Sequence, residues 1–362
     1  MTRQLDILAL EPFYGGIRRV MLETVIHCSR HRWTLLKLPP RRIERRLTTA
    51  AVWFSEQLSR HWVGRTDLLF TSEAMNLSDL YRFMPNLLKV PSVVYFHDNQ
   101  LPPVESKIDG PLDLINLNTA AAATEIWFNS LYHLKTFLGK ASALVKRHPE
   151  LAGRNPLPDI TGKARVMTPP VGFSQLHDVM QTDAVERDRR TIFVETRDAD
   201  NNLLNGALAI LKRRSEDFRL VTVGPVDELT PDLPRTTLPE NDPNAHLRGL
   251  MESKIFISTR KNATADHHAV RALAAGCWPL FPKTGMYREL LPQRMHSSCL
   301  YDCYPEELAG HLQDVWHFSP PDSCDQELAD ILHQFDPVVA CRAIDERVEQ
   351  LAAIKHHGSS KG

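Results

Sequence analysis

Four hydrogen-bonding side chains in a row, His97, Asp98, Asn99 and Gln100, follow directly on the apolar run Val93-Val94-Tyr95-Phe96. An imidazole beside a carboxyl and two amides can exchange a proton or hold the polar atoms of a ligand. The preceding residues are β-formers entered after Pro91, and they read as a core strand ending at the carboxyl edge of an open parallel sheet. That edge is where α/β proteins bind ligands. His97 is therefore the first functional candidate; the competing reading is a loop histidine satisfied by backbone.

A second group is Gly15-Gly16, which follows the apolar run 5–10 and Glu11-Pro12 and precedes Val20, Met21, Val25 and Ile26 at helical spacing. Strand, glycine loop and helix in that order offer backbone N–H groups and the positive end of a helix dipole to an anion. A third is the basic stretch of Lys37, Arg41, Arg42, Arg45 and Arg46, set against Glu44 alone. Cations are unfavourable at a helix amino terminus, so four arginines there point to an external polyanion; the competing reading is a solvated helix start. Asp266-His267-His268 resembles a metal set, but neighbouring helical residues point apart and no further ligand stands nearby. Cys299 and Cys303 have no second pair, which favours free thiols over zinc.

These residues need a scaffold. Strands are expected over 5–10, 33–38, 67–71, 93–96, 126–130 and 165–172, then over 191–195, 218–223, 254–258 and 278–281. Helices are expected after the glycines, after the basic stretch, opening at Met75-Asn76-Leu77, over 113–125 and 269–275, and at 338–354, the last packing back across the cleft. Strand–helix alternation in both halves predicts an α/β chain of two doubly wound, Rossmann-like domains facing a central cleft. The expected boundaries are 1–172, a linker over 173–190, 191–335, and a terminal helix with tail over 336–362.

A length of 362 residues suits two cores. A net charge of −1 excludes a global field that draws the chain onto nucleic acid or anionic membrane, so such contacts need a local patch. Six scattered cysteines without C-x-x-C pairs fit a reduced, cytoplasmic chain. The early Glu11 interrupts any signal-peptide apolar region, and no apolar run approaches the ~20 residues that span a bilayer.

Taken together, Glu11-Pro12-Phe13-Tyr14-Gly15-Gly16, Tyr95 to Gln100, Phe128-Asn129-Ser130-Leu131-Tyr132 with Phe137, Pro170-Val171-Gly172, and Ala274-Ala275-Gly276-Cys277-Trp278-Pro279-Leu280 resemble the tRNA-queuosine α-mannosyltransferase family. This is a branch of the family 4 retaining glycosyltransferases with the GT-B fold, and the first half is the better match. The resemblance implies mannose transfer from GDP-mannose to the queuosine base of tRNA, without a metal or other cofactor. On that basis His97, Glu11 and Asn99 are expected to be catalytic, and Gly15, Gly16, Arg197 and Arg271 to bind the donor. Tyr14, Asp98, Gln100, Asn129 and Ser130 are expected on the acceptor side, with Arg41, Arg42, Arg45 and Arg46 gripping RNA. The second half departs from the pattern. Where the family reads roughly His-Arg-Trp-Glu-His-Asp-Lys, this chain has Thr196-Arg197-Asp198-Ala199-Asp200-Asn201-Asn202, and the family's two glutamates align with Ala263 and Arg271. Arg197 and Arg271 together are then left to hold the donor phosphates. The alternative is a catalytically impaired homologue acting as a tRNA- or nucleotide-binding module.

Overall fold

The computed structural model describes residues 3–61, 64–106, 110, 112–172, 187–224, 229–230, 232–239, 242–317 and 326–358. The chain divides into two compact units, one of Met1–Pro170 with Pro337–Gly362 and one of Val171–Asp336.

In the first unit β1 (Asp6–Glu11), α1 (Gly16–Cys28), β2 (Arg32–Lys37), α2 (Ile43–His61), β3 (Leu68–Ser72), α3 (Leu77–Phe83), β4 (Ser92–Phe96), α4 (Ile115–Ala122), β5 (Glu125–Phe128), α5 (Leu131–Arg147), α6 (Leu157–Gly162) and β6 (Ala164–Val166) follow in order. Their strands form a six-stranded sheet in the order β2-β1-β3-β4-β5-β6, parallel throughout. Side-chain alternation fills both faces. Leu8, Leu10, Val94 and Phe96 pack with Phe54, Leu80 and Phe137 on one side. Ile7, Ala9, Val93 and Tyr95 pack with Met21, Val25, Ile344 and Val348 on the other.

The second unit contains β7 (Asp188–Glu195), α7 (Asn201–Arg213), β8 (Arg219–Val223), β9 (Arg235–Leu238), α8 (Pro243–Glu252), β10 (Ser253–Ile257), α9 (His267–Ala274), β11 (Trp278–Pro282), α10 (Tyr287–Leu290), α11 (His296–Cys299), β12 (Leu300–Tyr301), α12 (Pro305–His317) and α13 (Gln326–His333). Its sheet is ordered β12-β11-β10-β7-β8-β9, again parallel. Leu204 and Leu208 of α7 join Leu308 and Leu312 of α12 over one face. On the other, Phe256 stacks on Phe193 with ring centres 6.0 Å apart and meets Phe281 edge-on at 6.1 Å. Gly249 lets α8 approach closely, because a Cβ there would lie 3.1 Å from the Phe193 ring.

The last helix, α14 (Pro337–Gly358), returns to the first unit. Asp345 accepts bonds from Ser29 Oγ at 2.5 Å and Arg30 N at 2.9 Å, and Arg347 Nε donates to the buried Glu125 at 2.9 Å. Several expected boundaries move. The strand expected from 191 starts at Asp188, and the residues expected to link the units over 173–186 lie outside those described. The helix expected over 113–125 ends at Ala122, since Ser92 and Thr124 exchange two hydrogen bonds and feed Glu125 into β5. The strand expected over 165–172 shrinks to Ala164–Val166, because Pro169 and Pro170 have no N–H to donate.

Candidate active site

β1, β3, β4 and β5 run parallel, so Glu11, Glu73, His97 and Asn129 leave the sheet on the same edge. β1 lies between β2 and β3, and the chain reverses its direction of winding there, which opens a crevice beyond the strand ends. Glu11 is 2% exposed, and its Oε1 accepts from Phe13 N at 2.8 Å and Ser72 Oγ at 2.9 Å. Glu73 is wholly buried. It pairs with Arg18 from the first turn of α1, takes His97 N on Oε2 at 3.2 Å, and takes Asp98 N on Oε1 at 3.2 Å. Neither Glu73 nor Arg18 stood out in the sequence.

The loop after β4 is held at further points. Asn116 donates Nδ2 to Glu73 O at 3.0 Å and accepts Gln100 N at 2.7 Å. Asn129 Nδ2 donates to His97 O at 2.9 Å, and Asn129 Oδ1 lies 2.9 Å from His133 Nδ1. Asn99 Oδ1 accepts from Lys140 Nζ at 3.2 Å, and Asp98 is exposed. Ser130 caps α5 by accepting His133 N at 3.1 Å. Sequence reasoning makes His97 a polar loop-end residue with little packing. It is instead 7% exposed, with its ring 4.7 Å from that of Tyr95. Burial first, then Arg18 and His133, holds the His97 imidazole well below its usual value, so it is neutral at physiological pH. Burial, with Lys140 and Arg18, likewise lowers His133 to about 3.

The glycines fit their surroundings for two reasons. Gly15 is extended, and a Cβ there would lie 2.5 Å from Pro40 Cγ. Gly16 has φ +52, in the left-handed region. Tyr14 donates its hydroxyl to Glu23 at 2.6 Å, and Lys37 Nζ lies 4.2 Å from the centre of its ring. The four arginines divide. Arg41, Arg42 and Arg45 are exposed and pair with no carboxylate among the described residues. Arg46 is half-buried and donates Nη2 to Pro39 O at 2.9 Å.

In the second unit Arg197 is exposed just past β7, and its N donates to Glu195 Oε1 at 3.0 Å. Arg271, on α9, is half-buried, with its pKa lowered by burial and no ion pair among the described residues. Its charge, with that of Arg260, acts on both His267 and His268. Asp266 is committed to structure. It caps α9 through Ala269 N at 3.0 Å and accepts Tyr287 Oη at 2.9 Å and Ser258 Oγ at 3.1 Å. Arg260 lies 3.8 Å from it, and Lys261 pairs with Asp200 at 2.7 Å. The sequence reading missed these two cations, because they stand on a loop whose position only the sheet defines. Among the described residues no three His, Cys, Asp or Glu side chains gather as a metal set. No helix there is long and apolar enough to cross a membrane.

Burial is the chief force on Glu11, pushing its carboxyl up to about 7, with Glu73 adding and Arg18 opposing. Between an unfolded value near 4.5 and about 7 the folded chain keeps this proton and the unfolded chain has lost it. Stability from this group is therefore full below pH 4.5 and lost as pH rises through 7. Relative to Glu11→Gln, the wild type should lose on the order of 3 kcal/mol over that window. Urea unfolding of both chains at several pH values measures the difference, and a difference flat in pH would show that Glu11 titrates alike in both states.

Two parallel doubly wound units are also what solved glycosyltransferases of known fold present. Anabaena Alr3699/HepE, crystallised with UDP and glucose, superposes with a TM-score of 0.61 at 14% identity, over 96% of this chain and 100% of that one. The catalytic domain of starch synthase IV from Arabidopsis thaliana, bound to ADP and acarbose, does so at 0.66 and 10% identity, over 98% and 99%. The fold is α/β, of the GT-B class of glycosyltransferases. Residues 6–171 match the family described as tRNA-queuosine alpha-mannosyltransferase N-terminal. The chain is also 25% identical over 310 residues to the tRNA-queuosine alpha-mannosyltransferase of Drosophila melanogaster, covering 79% of this chain and 82% of that one. Through its first unit the protein resembles the tRNA-queuosine alpha-mannosyltransferase family, as its motifs led us to expect.

Proposed function

We propose that this protein is a retaining glycosyltransferase moving mannose, or a related sugar, from a nucleotide-sugar donor such as GDP-mannose to the queuosine base of tRNA. The observation that carries this reading is the cluster of Glu11, Glu73, Arg18 and His97 on one sheet edge, inside the segment that matches the family. A neutral imidazole can both donate to and accept from sugar hydroxyls, which a charged one cannot. Departure of the nucleotide diphosphate builds negative charge, which Arg197 and Arg271 are suited to offset, and each preorganised donor lowers such a barrier by about 3 kcal/mol. Gly15 and Gly16 offer backbone N–H groups suited to an anion, and Glu11 and Asn99 complete the reacting group. Tyr14, Asp98, Gln100, Asn129 and Ser130 serve the acceptor side, with Asn129 and Ser130 acting through the loops that they hold.

A second reading, a tRNA- or nucleotide-binding module without turnover, is favoured by Ala263, Arg271 and Asn202 at positions where the family pattern has charged groups of other kinds. Incubation with queuosine-containing tRNA and a panel of nucleotide sugars, followed by weighing of the released nucleoside, separates the two. The gain of one hexose on queuosine is expected. Retained RNA binding with no mass gain from any donor would favour the module.

A further inference from the structure

The His97–Gln100 loop has left the sheet, so its backbone N–H groups have lost their strand partners. A buried N–H must still be paired. What pairs the first two is the Glu73 carboxylate, one oxygen to each, while Arg18 takes up the remaining capacity of Oε1. A carboxylate accepts two N–H groups and a guanidinium at one point without bringing an O–H donor that would itself need a partner. A buried ion pair is a poor way to gain stability, since desolvation offsets much of the attraction, whereas it fixes geometry well. Glu73 is fully buried and Arg18 has little exposed surface, so solvent does not loosen the strap. The Glu73 carbonyl extends the same hold through Asn116 to Gln100 N.

We infer that Glu73, charged and held by Arg18, is a positioning residue that sets the place of the His97 imidazole and the Asp98 side chain for sugar transfer. This rests on the proposed transferase reading for its catalytic consequence, but not for its structural one. Glu73 acts through the backbone of its neighbour and does not itself touch substrate. The Gln variant keeps the size and one acceptor oxygen but sets an NH2 group against either the guanidinium or a backbone N–H. Its loss should appear in turnover more than in binding.

The test uses the full chain with nitrogen-labelled histidine, the His97 ring signals being assigned by their absence from His97→Gln. In Glu73→Gln these signals should move, kcat on queuosine-containing tRNA should fall about 100-fold, and KM for the donor should stay within about threefold. Arg18→Gln, which strands the carboxylate without its guanidinium, gives the same readout should the Glu73 variant not fold. Arg18→Lys should recover most of the turnover by restoring the charge. Should the wild type transfer no sugar, the His97 signals alone decide the inference. Moved signals support it; signals unmoved in a folded Glu73→Gln or Arg18→Gln chain overturn it.

Discussion

Replacing His97 by alanine should lower sugar transfer by 10²–10⁴-fold, roughly the contribution of one positioned acid–base or hydrogen-bonding side chain. The expectation rests on place. His97 stands one residue past β4, its N and O are fixed by Glu73 and Asn129, and its ring packs on Tyr95. Because burial keeps the imidazole neutral, its loss should matter equally at pH 6 and pH 8, and no limb of the rate profile near the ordinary histidine value should vanish with it. Truncation also empties buried space, so a loss of about 1–2 kcal/mol in stability is expected. His97→Gln fills much of that space and keeps a polar end, which separates packing from chemistry. Transfer at wild-type rate by a folded His97→Ala chain would return this residue to a structural role.

The alternation of Leu8 and Leu10 with Ile7 and Ala9, and the glycines after Glu11, are local signals, and they were legible. The GT-B fold and the family resemblance follow from such patterns. Glu73 was not legible, since Ser72-Glu73 looks like any polar strand end. Its meaning comes from the neighbouring β4, 24 residues on, and from Arg18, 55 residues back. Arg18 itself stands in Arg18-Arg19, which reads as a solvated helix face, and Arg19 does sit there, paired with Glu23. Glu125 was assigned to a helix by its alanine-rich neighbours. Once the Ser92–Thr124 bonds feed it into β5, its carboxylate is taken up by Trp127, which donates to it at 2.6 Å, and by Arg347, 222 residues away. Local patterns report periodicity; buried charge is decided by partners that only tertiary structure brings close.

The basic stretch carries the other large effect. Arg41, Arg42 and Arg45 crowd the start of α2, where the helix dipole disfavours cations by roughly 0.3–1 kcal/mol each. Among the described residues none of the three has a carboxylate to offset that cost. Arg42 adds a backbone cost, because its φ of 50 lies in the left-handed region that favours glycine. Arg46 differs, since its guanidinium serves the carbonyl of Pro39 and its removal would disturb the loop before the helix. The triple substitution Arg41→Ser, Arg42→Ser and Arg45→Ser therefore isolates the surface charge. If each arginine meets one tRNA phosphate, the slope of log K against log salt should shrink by about 2–3, and affinity near physiological salt should fall roughly 10²-fold. Folding should not suffer, because relief at the helix terminus opposes any lost contact. Filter binding of tRNA across a salt series measures both quantities, and a slope unchanged by the triple substitution would remove RNA from the account of this surface.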